Sequence, residues 1–220
     1  MLFDSRVLNR RFQTRENLQI LIEEGIIQNG QNWNHVWQIL YRIILHPGQS
    51  VLNDIEEVKA RLTRSKTFGI QVRTGGRLAN NNERISFISE DVVAKIPEQI
   101  QGICKRYRMD PKKWNLYISS DSDVVMNYIK LCFASEFNVV CASKYHRGHT
   151  TGKRLNNDSL RSALIDMHVL GDSDFLLVTK GSGFGVIAAS LAYPHPVFHI
   201  PANRTLISES TQQVSSFSLV

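Results

Sequence analysis

Two short segments pair polar or cationic side chains with glycines in a way that suits an anionic ligand. The first is Arg73-Thr-Gly-Gly-Arg77. A guanidinium offers a planar fork of N–H donors that matches phosphate oxygens, and glycines admit close approach. A surface arginine beside an ordinary turn would use the same residues. The second is Thr179-Lys-Gly-Ser-Gly-Phe-Gly185, running straight into the apolar stretch Val186-Ile-Ala-Ala-Ser-Leu191. A strand, a glycine-rich turn and a helix N-terminus together aim unpaired backbone N–H groups at an anion, and Ser182 adds a hydroxyl. This is no Walker loop, because no Gly-Lys-Ser/Thr follows at the required spacing. Gly-x-Gly by itself is weak, since a tight strand-to-helix turn needs glycine anyway.

Carboxylates and imidazoles supply the remaining chemistry. Asp166 stands in Asn157-Asp-Ser-Leu-Arg-Ser-Ala-Leu-Ile-Asp-Met-His-Val-Leu-Gly171. At about 100° per residue, Leu160, Ala163, Leu164 and Met167 read as the buried face, with Asp166 off its centre. Its carboxylate either bonds a neighbouring backbone or Arg161, or accepts the paired N–H donors of a guanine edge. Asp121-Ser-Asp123 and Asp172-Ser-Asp174 have the Asp-x-Asp form that holds manganese in many glycosyltransferases. Asp121, however, lies between a strand and a helix, where an N-cap with an acidic first turn is expected. His146 and His149 share a basic loop with Lys144, Arg147 and Lys153. No nearby carboxylate or thiolate completes a metal set there, so the loop reads as an anion contact rather than a metal site.

The elements that must position these residues alternate. Residues after Thr14 carry Leu18, Ile20, Leu21, Ile22, Ile26 and Ile27, apolar enough for a buried helix. Asn32 caps a second helix carrying Trp33, Val36, Trp37, Leu40 and Ile44, which Pro47 ends, and Ser50 caps a third with Val51, Ile55, Val58 and Leu62 on one face. From Thr67 onward, short apolar runs at 68–72, 114–118, 137–141, 175–178 and 197–200 read as strands. Helices fit at roughly 97–108, 122–135, 158–170 and 184–192, the first with Pro97 in its opening turn. The pattern predicts an α/β fold, a Rossmann-like parallel sheet with helices on both faces, preceded by a helical segment. The organisation expected is a helical segment or hinge at 1–66, the sheet domain at 67–202 and a fraying Ser/Thr/Gln-rich tail at 203–220. In such sheets ligands sit beyond the carboxyl ends of the strands, where both glycine-rich segments fall.

Composition narrows the classes. A formal charge of +6 and a pI near 9.3 favour polyanions such as phosphates. Lys and Arg are scattered without the interleaved aromatics of an RNA-recognition strand, which argues against a nucleic-acid partner. No apolar run approaches the ~20 residues of a membrane span. Met1 to Arg15 lacks the apolar core of a signal peptide, so the sequence as it stands reads as soluble. The three cysteines form no CxxC pair and read as buried free thiols.

Taken together, the motifs are more specific than any one of them. Leu160 to Ser182 resembles the donor-site block of the fucosyltransferases that include the alpha-1,6, xyloglucan and protein O-fucosyltransferase groups. Gly69-Ile-Gln-Val-Arg73 resembles their first motif, a strand ending on arginine. The likeness covers roughly 30–200 and is strongest at 158–190. It implies the carboxyl-terminal donor lobe of a GT-B-type glycosyltransferase that transfers fucose from GDP-fucose to a glycan or protein, with inversion and without metal. GDP-fucose enters as donor substrate, and no further cofactor is implied. By this resemblance Arg73 binds the β-phosphate and is the catalytic residue. Asp166 reads guanine, and Ser182, Gly183 and Phe184 meet the donor at the phosphate turn. Gln71 contacts the donor too, but stands where the family often has histidine, and Gly75-Gly76 stand where an acid is expected. Gln71 can hydrogen-bond but cannot act as a base. A non-catalytic GDP-sugar-binding or interaction protein of the same fold is the alternative. The family implies a secretory-pathway location, with a membrane tether only if upstream sequence is missing. Only one βα series is legible, so the chain is expected to bind donor without fucosylating an acceptor by itself.

Overall fold

The computed structural model describes residues 13–76, 78–79, 85–142, 157–202 and 205–206. Arg77, the loop Asn80–Glu83, the basic loop with His146 and His149, and nearly all of the tail lie outside the described residues. The chain divides into two compact units, Met1–His46 and Pro47–Val220.

In the first unit, helix α1 (Arg15–Glu23) starts at Thr14, whose hydroxyl accepts the Asn17 N–H at 3.2 Å; it ends before Ile26 and, against the expectation of a buried helix, buries none of its residues. Helix α2 (Trp33–Ile44) is capped by Asn32, as expected, with His35 completing a capping box. The Trp37 and Tyr41 rings lie 6.0 Å apart on its surface, as residues four apart on a helix must.

The second unit opens with α3 (Gln49–Ala60). Its N-cap is Gly48 and not Ser50, which falls in the first turn, where its carbonyl accepts from Arg161 Nη2 at 2.8 Å. The strands that follow are β1 (Lys66–Val72), β2 (Ile85–Ser86), β3 (Trp114–Ser120), β4 (Asn138–Val140), β5 (Phe175–Thr179), β6 (Val197–Ile200) and β7 (Thr205–Leu206). Between them run α4 (Glu90–Ala94), α5 (Ile96–Arg106), α6 (Asp123–Phe133), α7 (Asn157–Gly171) and α8 (Gly183–Ala192). Five strands form one parallel sheet in the order β4-β3-β1-β5-β6, while β2 and β7 pair antiparallel apart from it. The α/β parallel-sheet fold read from the sequence is therefore the fold observed.

Strand periodicity assigns side chains to two cores. Phe68, Ile70 and Val72 of β1, with Leu116 and Ile118 of β3, pack against α5 and α6 through Ile96, Ile100, Val125 and Ile129. Tyr117, Val140, Leu176 and Val178 point the other way, onto Ile55 and Val58 of α3, Ile165 and Val169 of α7, and Ala188 of α8. Each buried aliphatic side chain contributes roughly 1.5–3 kcal/mol. Glycine sets how closely α7 approaches: a Cβ on Gly69 would meet Ser173 Oγ at 2.6 Å, and one on Gly171 would meet Leu191 Cβ at 2.6 Å.

The chain leaves β1 through α4 and α5 to β3, then through α6 to β4, moving one way across the sheet. It next crosses to β5 on the other side of β1 and ends at β6. The order thus reverses between β1 and β5, which opens a crevice at their carboxyl ends.

Helix α7 departs from the sequence reading. Its buried positions are Ser159, Ser162, Ile165, Asp166, Val169, Leu170 and Gly171, while Leu160 is exposed. Two serines and a carboxylate take the central face because small side chains let α7 lie close to α3 and α8. The carboxylate also finds hydroxyl donors on the sheet.

Candidate functional site

Arg73, Thr74 and Gly75 leave β1 at the reversal point. The Arg73 backbone N–H donates to Thr179 Oγ1 of β5 at 2.8 Å, closing the seam between the two strands. Its guanidinium Nη1 lies 3.1 Å from Asp121 Oδ2, and its Cζ sits 5.5 Å from the centre of the Phe87 ring. A carboxylate at the edge and an aromatic face fix the plane of the fork. Both charges are largely covered, Arg73 at 17% and Asp121 at 11% side-chain exposure, so their attraction is weakly screened.

Asp121 is the residue that sequence reasoning placed wrongly. The N-cap of α6 is Ser122, whose hydroxyl accepts the Val125 N–H at 3.4 Å. Asp121 instead reaches across to the β1 loop. Its Oδ1 accepts from Thr74 N at 2.8 Å and Thr74 Oγ1 at 2.9 Å, and its Oδ2 from Gly75 N at 2.9 Å. In the second Asp-x-Asp, Asp174 accepts the Thr67 N–H at 2.8 Å and Asp172 pairs with Lys59 at 3.0 Å. Asp174 thus ties the amino ends of β1 and β5 together, and Asp172 ties the start of β5 to α3.

The turn after β5 has the form expected. Gly181 takes φ 77°, a left-handed conformation that favours glycine. Ser182, 2% exposed, is the N-cap of α8 and accepts the Gly185 N–H at 3.2 Å. Its hydroxyl oxygen is thus engaged in capping. Gly183 and Phe184 head the helix, where N–H groups have no intrahelical acceptor. Gly183 is exposed, and Phe184 is half-buried against Ala188 and its neighbours.

Gln71 lies beneath this turn at 3% exposure. Its Oε1 accepts the Thr179 N–H at 3.4 Å and would stand 2.8 Å from a Cβ on Gly185. A Cβ there would also lie 3.1 Å from Val178 Cβ, so the fit is close.

No family model matches this sequence. Among solved structures, the fucosyltransferase NodZ from Bradyrhizobium aligns at 16% identity and TM-score 0.44, over 64% of this chain and 41% of its own. NodZ alpha-1,6-fucosyltransferase soaked with GDP-fucose aligns at 18% identity and TM-score 0.46, over 73% of this chain and 48% of its own. POFUT1 in complex with GDP aligns at 13% identity and TM-score 0.45, over 70% and 46%. The chain spans less than half the length of each of these structures.

Asp166 lies where α7 meets β3. It is 5% exposed, and Ser119 Oγ donates to its Oδ2 at 2.7 Å while the Tyr117 hydroxyl donates to its Oδ1. Arg161, its other expected partner, pairs with Asp54 instead. Tyr117 and Ser119 alternate along β3 onto the face that meets α7, and Ser119 stands in register with Gln71. A polar seam thus runs from Asp166 through Ser119 and Gln71 to the α8 turn. Among the described residues no group of three or more His, Cys, Asp or Glu gathers in a metal-binding arrangement, and no helix is long and apolar enough to cross a membrane.

Proposed function

We propose that Pro47–Val220 binds GDP-fucose at the β1/β5 crevice, as the donor half of an inverting glycosyltransferase that passes fucose to a glycan or protein hydroxyl. The observation that carries the reading is Arg73, held by Asp121 and Phe87 at the point where strand order reverses, beside the N-terminus of α8. Arg73 meets the β-phosphate, and the Gly183 and Phe184 N–H groups meet the same diphosphate. As the acceptor oxygen bonds to the anomeric carbon and the bond to the β-phosphate breaks, negative charge gathers on departing GDP. A fixed guanidinium and helix terminus stabilise that charge without reorganising. Asp121 already accepts from three donors and pairs with Arg73, so the counter-charge falls to Arg73 and the transfer is metal-independent.

Asp166 reads guanine in this proposal. Its oxygens already accept from Tyr117 and Ser119, so base recognition displaces one of these hydroxyls. Neither Arg73 nor Gln71 can take the acceptor's proton, which places any base on the acceptor side. A second reading, GDP-sugar binding without turnover, is favoured by Gln71 standing where a histidine base would serve.

Isothermal titration with GDP, guanosine and ADP tests the reading. Binding is expected in the order GDP, then ADP and guanosine. Equal affinity for GDP and guanosine would contradict it. Fucose transfer to a panel of glycans and peptides then separates the enzyme from the binder.

A further inference from the structure

The β1 loop has Gly75-Gly76 where the motif after Arg73 calls for an acid. Gly75 has φ 59° and Gly76 φ 54°, and a Cβ on Gly75 would fall 2.1 Å from the backbone oxygen of Ile85. No side chain fits at Gly75. The register of β1 with β3 pairs Val72 with Ser120, so Arg73 and Asp121 follow as the next residues on adjacent strands. The carboxylate that the loop lacks arrives from there. One acid collects the Thr74 N–H and hydroxyl, the Gly75 N–H and Arg73 Nη1, which fixes the loop backbone and the guanidinium together. Helix α6 does not need it as a cap, because Ser122 serves.

We propose that Asp121 is the positioning residue for Arg73: from just past the end of the neighbouring strand it supplies the acid that Gly75-Gly76 lack, and holds the guanidinium for the diphosphate. This rests on the donor-binding reading above. It assigns the Asp121-Ser-Asp123 motif to diphosphate recognition through Arg73, with no metal between. The side chain itself touches no ligand.

The test is the GDP-to-guanosine affinity ratio, which general loss of stability does not move. Asp121→Asn keeps the shape, loses the charge, and sets an NH2 group either against the Gly75 N–H and the guanidinium or against the Thr74 N–H. It is expected to weaken GDP about tenfold or more, as misplaced contacts do, while guanosine stays within about twofold. On an Arg73→Ala background the same change is expected to cost GDP nothing further. Asp121→Glu, which keeps the charge but moves it by a methylene, serves if the Asn variant does not fold and is expected to lower the ratio too. A ratio unchanged by these substitutions, or a full additional loss on the Arg73→Ala background, would overturn the proposal. If Arg73→Ala abolishes the preference for GDP and Asp121→Asn does not, only the positioning role fails. If wild-type protein shows no preference, the donor reading itself has failed.

Discussion

Replacing Asp166 by alanine leaves two buried hydroxyls, on Tyr117 and Ser119, without the acceptor they share. Tyr117 is fully buried and Ser119 is 5% exposed, so water does not readily take the place of the carboxylate. Each stranded hydroxyl costs about 1–3 kcal/mol. Asp166→Ala is therefore expected to destabilise by roughly 2–5 kcal/mol, a large share of a typical domain's 5–15 kcal/mol. Tyr117→Phe removes one donor and leaves Asp166 still bonded to Ser119, for about 1–2 kcal/mol. Because the two residues act through one bond, the double variant is expected to fall short of the sum by about 1 kcal/mol or more. Urea denaturation with linear extrapolation measures all three, and an unchanged slope shows that the denatured state is not responsible. Asp166→Ala within about 0.5 kcal/mol of wild type, the range of ordinary surface changes, would refute the buried tie between α7 and β3.

Three further outcomes follow. Gly75→Ala is expected to destabilise by at least about 1–3 kcal/mol, since its φ of 59° and the 2.1 Å approach to the Ile85 oxygen both forbid a Cβ; a thermal melt matching wild type would count against the loop described. Cys132 is exposed while Cys104 and Cys141 are buried, so at pH 8 a thiol reagent is expected to modify Cys132 first. Burial, with the Glu136 charge adding to it, pushes the Cys104 thiol up from 9.0 to about 11. The unfolded chain therefore loses this proton first. Its contribution to stability is intact below pH 9 and falls away as pH rises toward about 11, which pH-dependent melting checks.

Most of the sheet was legible because strands buried on both faces read as continuous apolar runs. Val197–Ile200 is observed at its expected bounds, and Pro97 lies in the first turn of α5. The cap at Asn32 was legible because its partners are two or three residues away. Asp121 was not, because Thr74 is 47 residues distant and the local pattern points to a cap. The buried face of α7 was misread for the same reason. Hydropathy places Leu160 inside, but the hydroxyls that draw Asp166 inward belong to β3. The β2–β7 pair was missed altogether, joining two-residue strands from distant parts of the chain.

The central claim is that Arg73 at the β1/β5 crevice binds the diphosphate of a guanosine nucleotide. Calorimetric titration of wild type and Arg73→Ala with GDP and guanosine tests it most directly. The account predicts that Arg73→Ala weakens GDP by about 1.5–3 kcal/mol, roughly tenfold to a hundredfold, with guanosine little changed. Equal losses for both ligands, or none for either, would contradict it.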